Sequence, residues 1–184
     1  EIHTLQRQHS LYRIQKHVGK TEEFLIEKEI VSGVSYSKNE AKVTISGVPD
    51  VPGISAKIFG VLSDNNINVD MIVQNISEDG ATDMTFTVPK LELDDTIKAI
   101  NEKIDLNYRE LVTDSNVAKI SVVGIGMKSH AGVANTMFET LAEKNINIQV
   151  ISTSEIKISV LVEEDYTELA VRSLHSAYGL DKKD

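Results

Sequence analysis

The apolar positions of this chain follow one pattern twice. Val43 and Ile45 alternate with polar residues between Ala41 and Gly47, and Ile120 and Val122 do so between Ala118 and Gly124. A period of two marks a half-buried strand. After a glycine-containing loop the period changes. Ile54, Ile58, Val61 and Leu62 fall at i, i+4, i+7 and i+8, one face of a helix, and Val133, Met137 and Leu141 repeat that face. Each helix should close at an asparagine, Asn66 or Asn145, a residue suited to the left-handed conformation that ends helices. Second strands are expected over Asn68–Ile76 and Asn147–Ser152, and third strands over Thr82–Val88 and Ile156–Val162. The Ser77-Glu78-Asp79-Gly80 segment has hairpin composition. Acid-capped helices complete each copy: one turns Ile97, Ile100 and Ile104 inward, the other carries Leu169, Leu174 and Tyr178.

The repetition extends to identities. Lys42 aligns with Lys119 and Gly47 with Gly124, 77 residues apart. Beyond the loop, Gly53 aligns with Gly132, Phe59 with Phe138 and Asn66-Ile67-Asn68 with Asn145-Ile146-Asn147, 79 residues apart, so the second loop is two residues longer. The order β-α-β-β-α lacks the fourth strand of a ferredoxin-like unit. The first copy finds it in Asn107–Thr113; the second finds none before Asp184. A strand pattern upstream, Glu29–Tyr36, has no copy of its own. A sheet without its edge would leave backbone groups unpaired, so this strand should complete the second copy, with the first copy inserted into it. The expected fold is α+β, two ferredoxin-like βαββαβ domains with antiparallel sheets and helices on one face. One domain covers 41–114 and the other 26–37 plus 117–180, after a leader over residues 1–24 that shows no firm period.

Composition narrows the function. With 41% hydrophobic and 26% charged residues in 184, the chain reads as globular. It has no Cys and no Trp, which excludes a disulfide framework and cysteine-based metal or redox chemistry, and this fits a cytoplasmic protein. No apolar run approaches the roughly 18 residues of a membrane span, so no membrane partner is expected. The net charge of −9 divides into +3 over the first 20 residues and −12 over the rest. An acidic body argues against nucleic acid, and an RNA-binding sheet would need stacking aromatics where the strands offer Phe86 and little else. Gly124-Ile125-Gly126 is not a phosphate loop, because Ser129 replaces the third glycine. His130 and His175 have no evident metal partners, and no nucleophile–base set emerges. No catalytic residue and no metal site are expected.

The segments EAKVTISGVPDVPG, NVDMIVQNISEDGATDMTFTVP, GIGMKSHAGVA and INIQVISTSEIKISVLV closely resemble the regulatory region of bacterial aspartate kinases. The resemblance runs from about Ile26 to Leu180. That region is a tandem of ACT domains, small ferredoxin-like modules that bind amino acids, and in some bacteria it is a separate β subunit of an α2β2 enzyme. The resemblance implies lysine, threonine or both as effectors, feedback inhibition of the first step of aspartate-family amino-acid biosynthesis, and a homodimer through the ACT domains. It also implies a catalytic α subunit or lobe as partner. ATP and magnesium would belong to that catalytic lobe, which has no counterpart here. A different reading of the same residues is a free-standing amino-acid sensor that regulates another protein. In one respect the chain departs from its relatives: His130-Ala131-Gly132 stands where they usually have His-Pro-Gly, leaving that loop less restricted in φ.

Candidate effector residues begin in the loop Asp50, Val51, Pro52, Gly53, Ile54 and Ser55, where free N–H groups at a helix start attract a carboxylate. Asp50 suits an ammonium, although Pro-Gly also makes a plain turn and Asp50 a plain cap. Gln74 and Asn75 end an apolar strand, where they would hydrogen-bond a ligand or a neighbouring backbone. By resemblance, Asn68, Val69 and Asp70 at the start of that strand belong to the set, as does Asp83. The matching candidates in the second copy are Met127, Ser129, His130, Val133, Ala134 and Asn135, together with Asn147, Ile148 and Thr153. The altered second loop implies two unequal ligand sites.

Overall fold

The structure is a computed structural model that describes residues 30–76, 80–104, 106–125 and 132–181. The expected leader over residues 1–24 lies outside the described residues. The elements are β1 (Val31–Pro49), α1 (Ile54–Asp64), β2 (Asp70–Ile76), β3 (Ala81–Val88), α2 (Leu93–Lys103), β4 (Glu110–Gly124), α3 (Gly132–Glu143), β5 (Val150–Thr153), β6 (Lys157–Glu163) and α4 (Thr167–Ala177). One-turn 3-10 segments, Lys90–Glu92 and Glu164–Tyr166, precede α2 and α4.

The strands form one antiparallel sheet in the order β2-β3-β1-β4-β6-β5. Its centre explains how the two copies interlock. The first half of β1 pairs with the second half of β4, from Val31 opposite Gly124 to Ser37 opposite Lys119, which is the pairing expected for the orphan strand. The second half of β1 pairs with the first half of β4, Lys42 with Asp114 and Ser46 with Glu110, and also with β3. The first ACT-type unit is thus inserted into the second.

The four separate strands expected here are two continuous ones. Val31–Tyr36 of the expected Glu29–Tyr36 and Ala41–Gly47 run together as β1, and Glu110–Thr113 of the expected Asn107–Thr113 and Ala118–Gly124 as β4; Glu29 lies outside the described residues. The intervening Ser37–Glu40 and Asp114–Asn116 have turn-like composition, but Ser37 lies opposite Lys119, Glu40 opposite Val117 and Asp114 opposite Lys42, and both segments keep extended backbone, with register shifts on either side of Glu40. Ladder hydrogen bonds outweigh local turn preference there. The second strands start later than expected, at Asp70 and Val150.

Two clusters on the helix side carry most of the core. In copy one, Val43, Ile45, Met84 and Phe86 pack on Ile54, Ile58, Leu62 and Ile100. In copy two, Ile120, Val122 and Val160 pack on Met137, Leu141, Ala170 and Leu174. Phe59 meets Phe86 edge to face at 5.4 Å. Leu169, expected on the carrying helix, is exposed. Asn66 and Asn145 have φ of 56° and 60°, and each is followed by an N–H that reaches back to the helix, Ile67 to Leu62 and Ile146 to Leu141. The aligned glycines also have a shared cause. A Cβ on Gly124 would sit 1.7 Å from the Ile30 carbonyl oxygen, and one on Gly47 2.7 Å from the Arg109 Cβ. Both mark close approach of a strand end to the neighbouring chain.

Candidate functional site

At one end of copy one, three segments converge. Gly53, with φ of 93°, turns the chain into α1, and no side chain caps that helix. The Ile54 N–H donates to the Val51 carbonyl at 3.3 Å, and the rest of the first turn has no side-chain cap, the arrangement in which a helix start favours an anion. Asp50 is exposed, and its N–H donates to the Gly80 carbonyl at 3.2 Å, tying the loop to the β2–β3 turn. The Ser55 hydroxyl lies 3.4 Å from Gln74 Oε1, tying the helix start to the end of β2. Asp50, Pro52, Gly53, Ser55 and Gln74 thus occupy one polar end, with Ile54 turned down into the core. Asn75 points elsewhere along the alternation and lines a cavity of about 460 Å³ with Lys42, Thr44, Thr85, Ile148 and Gln149.

The structure does not bring the other copy-one candidates to that end. Asn68, Val69 and Asp70 sit where α1 has ended and β2 begins, the opposite end of a seven-residue strand, roughly 20 Å away at the rise of extended backbone. Asn68 and Val69 line an external groove of about 530 Å³ beside Phe59 and Ile72. Asp83 is engaged structurally. Its Oδ1 accepts the Gly47 N–H at 2.9 Å, where the β1–β3 register shifts and leaves that donor without a ladder partner.

In copy two, Met127, Ser129 and His130 lie outside the described residues. Val133 is buried and Ala134 half-buried against the core, and the Val133 carbonyl accepts the Tyr178 hydroxyl at 2.7 Å. Burial pushes that phenol up to about 12, with the Met137 backbone acting in the opposite direction. Asn135, Asn147 and Thr153 are exposed.

The sheet face away from the helices forms a seam between the copies, and the repeat places its residues about a pseudo-two-fold axis. Aligned residues Glu40 and Val117 face each other directly. Lys42 donates to Gln149 of copy two, and its counterpart Lys119 donates to Asp70 of copy one, the residue that aligns with Gln149. Lys90 pairs with its own counterpart, Glu164. Thr44 and Thr85 share a 2.9 Å hydroxyl bond that Ser121 and Ser159 repeat at 2.8 Å.

Lys119 is the densest point of this seam. Its ammonium lies 2.6 Å from Glu40 Oε1 and 2.7 Å from Asp70 Oδ2. The hydrogen bond from Lys119 holds the Asp70 carboxyl below the usual range, against burial, with help from the Met71 N–H. Burial works against the charged form of Lys119, but its bonds to Asp70 and Glu40 outweigh it and raise its pKa. Glu40 and Lys119 were not candidates from sequence; the one available signal was that Lys119 keeps the identity of Lys42. Among the described residues no group of three metal-type side chains gathers, and no helix is long and apolar enough to cross a membrane.

Two interlocked α+β modules of the same β-α-β-β-α order, the first carrying exposed Asp50 beside a helix start without a side-chain cap, define a duplicated ferredoxin-like pair. An ACT domain family model matches residues 43–104 and 120–178. The aspartate kinase of Pseudomonas fluorescens (strain SBW25) is 55% identical over 161 residues, 87% of this chain and 39% of its own length. Among solved structures, one of aspartokinase alpha and beta subunits is 48% identical with a TM-score of 0.75, covering 80% of this chain and 98% of that one. The ligand-free regulatory subunit of aspartate kinase from Thermus thermophilus is 36% identical with a TM-score of 0.76, again over 80% and 98%. The chain belongs to the ACT-domain family, as a tandem-ACT regulatory region of an aspartate kinase. It spans about two fifths of the length of its curated full-length relatives.

Proposed function

We propose that this chain senses an end-product amino acid, lysine or threonine, and transmits feedback inhibition to an aspartate kinase catalytic subunit or lobe. The carrying observation is the meeting of Asp50, the uncapped start of α1 and Gln74 at one end of copy one. A ligand carboxylate is matched by the start of α1 and its helix dipole, and its ammonium by Asp50. ATP and magnesium would act on the catalytic partner. Two copies of the chain would pack through the outer strands β2 and β5, where aligned Ile72 and Ile151 are both exposed beside unpaired backbone. The effector inhibits by binding one arrangement of the assembly more tightly than another, since equal affinity shifts nothing. Calorimetric titration with lysine and threonine, singly and together, alongside light scattering tests this. Saturable binding by a dimer is expected; a monomer that ignores both amino acids contradicts it.

A further inference from the structure

The two halves of the seam are built from aligned positions but from different chemistry. On one side Val117, Leu161, Val150 and Met71 form a dry cluster. On the other, Glu40 stands in the position of Val117, Thr87 in that of Leu161 and Asp70 in that of Gln149. Here the Thr87 hydroxyl is fully buried without a partner, and Glu40, Asp70, Thr87 and Lys119 line a cavity of about 250 Å³. Packing alone favours the apolar version, because charges lose hydration on burial.

Asp70 opens β2 and bonds at both oxygens, Oδ2 to Lys119 and Oδ1 to the Met71 N–H at 2.8 Å. Met71 is buried with φ of 47°, a left-handed conformation costly for a side-chain-bearing residue unless its surroundings enforce it. The β2–β3 register slips between Asp70 and Val73, just beyond this point. A shift of one residue in a strand exchanges its faces, so this entry decides that Gln74 meets Ser55 while Asn75 faces the seam.

We propose that Lys119 is a positioning residue. Through Asp70 and Glu40 it locks the entry of β2 and thereby sets Gln74 for the ligand, coupling copy two to the copy-one site through one side of the seam only. The ligand part rests on the proposed function; the structural part stands alone.

Backbone hydrogen exchange over β2 and calorimetry with lysine and threonine test it in Lys119→Met, Glu40→Gln/Lys119→Met, Lys119→Arg and Lys42→Met. Lys119→Met and the double variant should lose protection over β2 but not over α3, and lose about tenfold in ligand affinity, within the usual range of site coupling. Lys119→Arg should restore both, and Lys42→Met, whose partners are the neutral Gln149 and, at a long 4.0 Å, Asp114 of its own copy, should change neither. Equal effects of Lys42→Met and Lys119→Met, or full β2 protection in the double variant, would overturn the proposal. If the Lys119 variants do not fold, Asp70→Asn keeps the Lys119–Glu40 pair and must show the same β2 loosening, and full protection there overturns it as well. If the wild-type chain binds neither amino acid, the proposed function fails while the exchange comparison still decides the role of Lys119.

Discussion

The apolar and the charged halves of the seam differ in what they can do with the same backbone. Val117 and Leu161 are fully buried beside Val150 and Met71, and this non-directional packing joins the copies. Glu40, Asp70 and Lys119 hold them in a particular orientation, because hydrogen-bonded charges tolerate few geometries. A duplicated fold has thus kept one half of its internal interface for cohesion and given the other to direction.

Removing side chains from each half should separate these roles, beginning with the largest loss. Leu161→Ala empties the apolar half and should cost about 2–5 kcal/mol in urea unfolding; a loss near zero would mean the dry cluster contributes no cohesion. Lys119→Met leaves the Glu40 carboxylate buried and unpaired. That costs about 3–5 kcal/mol in a fully buried pair, and less here because Asp70 is half exposed. Lys42→Met should cost less, about 1 kcal/mol, because its hydrogen-bond partner Gln149 is neutral and its one carboxylate, Asp114, lies 4.0 Å away. If the two lysine variants are equally destabilised, the halves are equivalent and the contrast fails. Thr87→Val removes the orphan hydroxyl at constant shape and should stabilise the chain by about 1 kcal/mol, since an unsatisfied buried polar group costs roughly that much or more; a loss of stability would show that the hydroxyl has a partner.

The smallest effect is a pH dependence. Asp70 is held below its ordinary value, so its contribution is complete above roughly pH 4 and fades as pH falls through the lowered value. Lys119 is raised, so its contribution is complete below roughly pH 10 and fades as pH rises through the higher value. The stability difference between wild type and Asp70→Asn, followed by urea unfolding, should shrink toward strong acid. A difference that grows there would contradict the bond to Lys119.

Much of this fold was legible in the residues because periodicity reports burial directly. Val43 and Ile45, Ile54 and Ile58, and the closing Asn66 and Asn145 sit where their spacing implies. The edge argument for Glu29–Tyr36 succeeded over its described part, which pairs with β4 from Val31 onward, for a related reason: an unpaired strand needs a partner, and the second copy lacked one. Continuity of β1 and β4 was not legible, since Ser37–Glu40 reads locally as a turn and only the opposite strand makes it extended. The site was legible in part. Asp50, Gly53, Ser55 and Gln74 converge, but Asn68 and Asp70 belong to the far end of β2, and Asp83 serves the bulge at Gly47. The Lys119 clasp escaped notice because its partners lie 49 and 79 positions away in sequence. The β1–β4 ladder sets Glu40 beside Lys119, and Asp70 reaches the same ammonium from the start of β2.

The copy-one loop remains the centre of the functional account, and calorimetry of the wild-type chain beside Asp50→Ala and Gln74→Ala tests it most directly. Saturable binding of lysine or threonine that weakens at least about tenfold in each variant is predicted, the scale of a lost charged or bidentate contact. Binding that is unchanged in both variants, or absent from the wild type, would contradict it.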